Sequence, residues 1–372
     1  MSGGGSDQTV DPDPVSIWTA RDTTARAVEG ALRSMLAERF RERHCSVPAR
    51  SVNVISTAPA GREHAALGRL NRMARRAVSR AIVLGISPGR STIDARAELS
   101  CDVHPGPGGF GFLRETVVLT IGQRHLRDIE TIVDPLLVHD LPTVLWACAD
   151  GQGSLRCLLP VADIVLLDSM DQPDARAALA FAQGIHSEVG VVELAWVRVA
   201  PWRRRVAAAF DPPPLRAHLR AIDAVRVVHH PEFAVPALLL VGWLSSRLGW
   251  SLRPLQTRTA GLGGMVGADG RAVRIELHND ARRAVSDMSL AVEMSPGRSL
   301  SFERETGGLH VCARADDRHE QCWTALGAWT TEEEVIEEGI RETLLADRMY
   351  GEALAAANVL AGNQRCSGAL DL

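Results

Sequence analysis

Three runs in the first half of the chain, AIVL at 81–84, PTVLWAC at 142–148 and ADIVLL at 162–167, are almost wholly apolar at the length of a single strand. Such strands have no polar side to turn toward water, which predicts a mostly parallel sheet with helices over both faces. The stretches between them agree. SVNVIST at 51–57 and ETVVLTI at 115–121 are β-branched runs, whereas 63–80 places Leu67, Leu70 and Ala74 on one helical face. Residues 23–43, 126–138 and 174–186 also read as helices, 191–200 as a strand, and 201–210 as a helix stopped by Pro212, Pro213 and Pro214. Alternation of this kind predicts an N-terminal layered α/β domain over 17–215, preceded by a polar, disordered tail at 1–16.

From 216 onward the periodicity changes. An apolar helix at 235–248 precedes sets with period two: Val273, Ile275 and Leu277; Leu290, Val292 and Met294; Leu300 and Phe302; Leu309 and Val311. Turn residues separate them: Asp269-Gly270, Asn279-Asp280, Pro296-Gly297 and Gly307-Gly308. The expectation for 216–372 is a smaller α+β domain with an antiparallel meander and C-terminal helices. Thr331 with Glu334 forms a capping box there, and Gly362 is a helix stop.

Composition closes off several chemistries. The 41 basic residues include no lysine, which excludes a phosphate-loop lysine, Schiff-base chemistry and a lysine general base. A net charge of −4 supplies no general attraction to nucleic acid or to an anionic membrane. No apolar run reaches the roughly 18–20 residues of a spanning helix; the longest candidate, 234–244, contains Pro236. The N-terminus lacks a charged-then-apolar signal pattern, and seven scattered cysteines fit a reducing compartment. The expected location is the cytoplasm.

Gly85, Ser87 and Gly89 fit the G-x-S-x-G pattern of serine hydrolases. In that elbow the residue after the serine donates its N–H to the oxyanion, and Pro88 has none. Losing one such donor costs roughly 10²–10³ in rate. Ser87 therefore reads as a turn residue. Gly106, Gly108 and Gly111 match G-x-G-x-x-G but precede a strand instead of opening a helix, which predicts a loop and not a dinucleotide cradle. His310, Cys312, His319 and Cys322 lack the paired knuckles of common structural zinc sites. Cys148 and Cys157 could approach each other across a loop but read as buried, inert thiols, and His229-His230 carries no site. No catalytic residue, metal or cofactor is expected. The suggestive stretch is 192–211, where Pro201 suits the first position of a helix. Arg203, Arg204 and Arg205 then fall in its first turns, where cations oppose the macrodipole. A neighbouring carboxylate or a bound anion such as a phosphate would compensate them.

Five stretches in order resemble one family. DPLLVHDLPTVLW at 134–146, ADIVLLDS at 162–169, ELAWVRVAPWR at 193–203, LLVGWLSSRLGW at 239–250 and DRMYGEAL at 347–354 are similar to segments of the OpcA family, glucose-6-phosphate dehydrogenase assembly proteins of actinobacteria and cyanobacteria. The similarity runs from about 17 to 358. It implies a non-catalytic protein that binds glucose-6-phosphate dehydrogenase, promotes its assembly and activates it allosterically in the oxidative pentose phosphate pathway. It further implies that Ser79, Arg80, Asp140, Pro142, Trp146, Trp196, Arg198, Trp202 and Arg203 serve the partner or a ligand, the charged groups by complementarity and the tryptophans by shape. A second reading is a small-molecule enzyme or sensor that holds a sugar phosphate or nucleotide at Arg203. Departures mark a divergent member. The family's HPSR keeps only Ser79 and Arg80, its C-x-E only Glu115, and its Trp-Trp-Pro is Trp146-Ala147-Cys148 here.

Overall fold

The computed structural model describes residues 15–42, 52–73, 80–103, 111–147, 152–285, 287–305, 307–316, 319–327, 331–342 and 347–363. It divides into two compact units, Met1–Ile164 and Val165–Leu372.

The first unit carries β1 (Ser16–Ala20), α1 (Ala25–Glu42), β2 (Asn53–Pro59), α2 (Glu63–Met73), β3 (Arg80–Ser87), β4 (Asp94–Val103), β5 (Gly111–Gly122), α3 (Ile129–Val133), β6 (Thr143–Ala147) and α4 (Gln152–Leu158). Its strands lie in the order β1-β4-β5-β3-β2-β6. The apolar run predicted as strand becomes β3, whose Ala81, Ile82, Val83 and Leu84 have no exposed surface. Around it, β5, β3, β2 and β6 are mutually parallel, while β4 and β1 add antiparallel edges. After Ser87 comes a turn at Pro88 and Gly89 (φ +80°) and then β4, with no helix to build a nucleophile elbow. The segment 126–138 is not one helix but two 3₁₀ turns flanking the short α3, because Pro135 interrupts the hydrogen-bond ladder.

β7 (Ile164–Leu167), whose first residue is the last of the first unit, leads to α5 (Ala175–His186) of the second, which Asp174 caps by accepting the Arg176 N–H. β8 (Gly190–Glu193), α6 (Leu194–Arg198), α7 (Ala200–Phe210) and α8 (Pro213–Arg216) follow. The strand expected over 191–200 stops at Glu193. The carboxylate of Glu193 accepts the Ala195 N–H and starts α6, so the second half of the expected strand folds as helix.

A second sheet is built from β9 (Ile222–His229) and, after α9 (Ala234–Arg247), from β10 (Gln256–Arg258), β11 (Gly261–Ala268), β12 (Arg271–Asn279), β13 (Met288–Met294), β14 (Arg298–Glu305), β15 (Gly308–Asp316) and β16 (His319–Leu326). The order is β10-β11-β12-β9-β13-β14-β15-β16. Every predicted period-two residue is buried on one face. The β11–β12 hairpin turns through Asp269 (φ +45°) and Gly270 (φ +80°), the left-handed pair that a two-residue hairpin demands. Sequence reading missed β9, which pairs parallel with β12 and antiparallel with β13 at the centre of the sheet. α10 (Glu332–Glu342) starts at the predicted capping box: Glu334 N–H donates to Thr331 Oγ1 and Thr331 N–H to Glu334 Oε2. α11 (Arg348–Leu360) ends before Gly362, at φ +83°.

α9 is buried nearly all round, and its glycine decides how closely it packs. A Cβ on Gly242 would lie 2.5 Å from the Ala353 carbonyl oxygen and 2.9 Å from the Ala357 nitrogen, both backbone atoms of α11. Neither can move without shifting a helix. Gly242→Ala is expected to lower unfolding free energy by about 1–3 kcal/mol, read as a lower denaturant midpoint; an unchanged midpoint refutes this packing.

Candidate functional site

In the first unit Arg80 opens β3 opposite Glu115 of β5. Its guanidinium donates to Glu115 Oε2 at 2.5 Å, to Glu29 Oε2 of α1 at 2.9 Å and to the Leu136 carbonyl at 2.5 Å. Arg80 and Glu115 are both buried, so the pair ties two strands, a helix and the 134–136 turn together. Asn53, which sequence reading did not single out, is fully buried and holds the loop ahead of β6. Its amide donates to the Val138 and Leu141 carbonyls and accepts the Val138 N–H. Its one signal was an amide set among the β-branched residues of SVNVIST at 51–57. That loop presents His139 and Asp140 to solvent and Pro142 half-buried, while Trp146 points into the core. Ser79 lies outside the described residues.

Parallel strands run to either side of β2, so the order reverses there, and in such sheets ligands bind beyond the carboxyl ends of the strands. Here α2 begins with Glu63, a buried carboxylate that accepts the Gly61 N–H at 2.7 Å and lies against Gly85 of β3, where a Cβ would come within 2.0 Å of it. The helix start that would seat a phosphate holds the chain's own negative charge. A neighbouring cleft of about 430 Å³ is lined by Glu63, His64, Asp94, Arg96 and Thr120. Asp94 is held below its ordinary pKa by the Asp22 N–H, with Arg90 at 2.6 Å adding to it.

The densest polar cluster is in the second unit. Asp168, at the end of β7, receives both Arg198 nitrogens at 2.8 and 2.7 Å. Burial opposes the charge on Arg198, yet Asp168 keeps its pKa raised. Glu193 accepts from Ser169 Oγ at 2.6 Å, the Ser169 N–H at 2.9 Å and the Ala195 N–H at 3.0 Å. Burial and the adjacent Asp168 push its pKa up from 4.5 to about 7, against these three donors. On α7, Arg203 lies over the Trp196 ring with 3.3 Å to the centroid and faces Asp347 Oδ2 at 3.7 Å. Asp347 also accepts the Trp196 Nε1–H at 2.7 Å. Burial lowers the Arg203 pKa to about 10, with Asp347 opposing, so the guanidinium stays charged at neutral pH. Trp202 is fully buried, with Arg304 4.9 Å from its ring.

The residues predicted to serve a partner thus fall into two sets. Arg80, Trp146, Trp196, Arg198, Trp202 and Arg203 are turned inward, while Asp140 is exposed and Pro142 half-exposed. Of the three consecutive arginines only Arg204 is exposed; Arg205 donates to the Leu326 carbonyl. The anion that compensates Arg203 is an internal carboxylate. A separate cavity of about 290 Å³ is lined by His229, Arg258, Asn279 and apolar neighbours. His229 Nδ1 contacts the His230 carbonyl at 2.7 Å, which makes it the donor, and burial lowers the ring's pKa.

Glu193 gives a pH dependence with a definite sign. Its folded pKa, about 7, exceeds the ordinary 4.5, so its stabilising contribution is complete below pH 4.5 and lost as pH rises through 7. Relative to Glu193→Gln, which does not titrate, the wild-type chain is expected to lose on the order of 3 kcal/mol across that window. Denaturant midpoints of the two proteins between pH 4.5 and 8 measure it; parallel curves contradict the assignment. Arg198→Met strands Asp168 without its partner and is expected to cost about 3–5 kcal/mol in the same assay.

Two family models match the chain, and they describe the two domains of the glucose-6-phosphate dehydrogenase subunit. The model of the N-terminal domain matches residues 70–183, and that of the C-terminal domain matches 189–354. Among curated proteins, the "Putative OxPP cycle protein OpcA" of Synechococcus elongatus is 29% identical over 205 residues, 51% of this chain and 44% of that protein. The protein of the same name from Synechocystis is 31% identical over 131 residues, 34% of this chain and 27% of its own length. The chain therefore spans less than half of the curated relatives it matches. A dehydrogenase from Chromobacterium violaceum superposes with a TM-score of 0.44 at 10% identity, covering 84% of this chain and 94% of that one. No helix among the described residues is long and apolar enough to cross a membrane. With both domain models matched in order over most of its length, the chain belongs to the OpcA family of glucose-6-phosphate dehydrogenase subunits.

Proposed function

We propose that this protein is a non-catalytic subunit that binds glucose-6-phosphate dehydrogenase in the cytoplasm and favours its active assembly, supporting the oxidative pentose phosphate pathway. The observation that carries this reading is the ordered match to both domains of a family named for that enzyme's subunit. Activation then means tighter binding to the active arrangement of the dehydrogenase than to the inactive one, and the gain is limited by that difference.

Within this reading the signature residues divide their labour. Arg80, Trp146, Trp196, Arg198, Trp202 and Arg203 act through the scaffold. Asp140 and Pro142, on the loop that Asn53 fixes, meet the partner directly. A sugar phosphate or nucleotide at Arg203 has little support, since the guanidinium is buried and already faces Asp347 and Trp196.

Mixing the purified chain with the dehydrogenase of its own organism tests the proposal. An equimolar mixture is expected to elute as a larger species and to turn over faster than the enzyme alone. Asp140→Arg is expected to weaken the complex at least tenfold, about 1.4 kcal/mol, with an unchanged thermal midpoint. Unaltered elution and turnover in the wild-type mixture would sink the proposal, whatever the variant does.

A further inference from the structure

The hairpin β15–β16 gathers ligand-type side chains on its open face. His310 and Cys312 are two apart on β15 and so project to the same side, and Cys322 of β16 stands directly opposite Cys312 in register. The ligand atoms of His310, Cys312 and Cys322 all lie within 4.8 Å of one another. His319, whose odd spacing from Cys322 turns it to the other face, is not among them.

The histidine is oriented in a particular way. Its Nε2 is 3.3 Å from Cys312 Sγ, while its Nδ1 faces Glu305 Oε2 of β14 at 3.7 Å. Glu305 is held in turn by the Thr324 hydroxyl of β16, which donates to it at 2.9 Å. A carboxylate behind one ring nitrogen, with the other aimed at the ligand cluster, is how metal-binding histidines are commonly fixed. Tetrahedral bonds of about 2.3 Å to sulfur and 2.0–2.1 Å to nitrogen put those atoms about 3.5 Å apart. The observed separation is close to that. Two thiolates and an imidazole are the donor set of a zinc-class cation, and a half-exposed face leaves the fourth position open to water.

We propose that His310, Cys312 and Cys322 form a three-ligand site for a zinc-class divalent cation, with Glu305 as the positioning residue, when the Cys312–Cys322 pair is reduced. In the structure the two sulfurs are joined as a disulfide, and a disulfide sulfur lacks the thiolate charge that binds the metal. A dithiol reductant supplies two electrons and two protons, opening the bond to two thiols while itself becoming a disulfide. The cation then displaces both protons on binding.

Cobalt(II) is the probe, because thiolate ligation gives it a charge-transfer absorption. The full chain, reduced with a dithiol, stripped of metal and desalted without oxygen, is expected to bind one equivalent per chain with that band, and Zn²⁺ is expected to displace it. The Cys312→Ser/Cys322→Ser variant should lose the band. His310→Ala, which leaves both thiols in place, should bind at least tenfold more weakly. Glu305→Gln should weaken binding about 10–100-fold with an unchanged thermal midpoint. Reduced wild-type protein without the band, or a band that survives in the double-serine variant, overturns the site; unchanged affinity in Glu305→Gln overturns the positioning role.

Discussion

Three demands meet on the carboxylate of Asp347. One oxygen caps α11 by accepting the Met349 N–H at 2.9 Å, and the other accepts the Trp196 indole N–H and faces Arg203. Between them lies a guanidinium stacked on the Trp196 ring, an arrangement that gains from exclusion of water only while its charge is balanced. The indole must be buried for the stack, the arginine must be charged for it, and both need an acceptor that neither supplies. Tyr350 packs against Trp196 as a tilted ring, at 5.9 Å between ring centroids. The hub of the second unit is thus a short polar chain set inside apolar packing, in which Asp347 satisfies the indole and the start of α11, while Arg203 Nε and the Tyr350 hydroxyl have no hydrogen-bond partner among the described residues.

The same economy runs through the family motifs. Arg80, kept with Ser79 from one signature segment, and Glu115, kept from another, are each other's partners across β3 and β5. Asp168 and Ser169, from one segment, bind Arg198 and Glu193, from another. Trp196 and Arg203 meet Asp347 from a third, with 151 positions between indole and acceptor. Arg80, Trp196, Arg198 and Arg203, which look like an interface in the sequence, are halves of internal pairs. Among the signature residues Asp140 stays exposed, on the loop ahead of β6 that Asn53 fixes at its base.

The two sheets follow different rules for the same reason. In the first unit the central strands are covered on both sides and carry apolar residues without alternation. The second sheet buries one face and sets Arg226, Glu276, Arg274 and Glu293 as cross-strand pairs on the other. Surface pairs of this kind add little stability each. Their effect is on solubility and register, since a one-residue slip would carry every charge inward.

Periodicity made the helices and strands legible where the apolar pattern was strong: β3, β12 through β15, α5, α9 and the capping box at Thr331. It failed where a side chain from elsewhere decided the outcome. The valines at 191, 192, 197 and 199 make 191–200 read as one strand, but the buried Glu193 carboxylate caps 194–198 into a helix. β9 was missed because its partners, β12 and β13, lie more than forty positions away and pair with it from both sides. The sequence alone determined the α/β class and the exclusion of lysine chemistry, because these depend on composition and local spacing, and it carried the family only through five segments that resemble it in order. Whether Arg203 waits for an outside anion or answers to Asp347, and whether the tryptophans face a partner or the core, only the tertiary structure decided, because burial is a property of what packs around a residue and not of the residue itself.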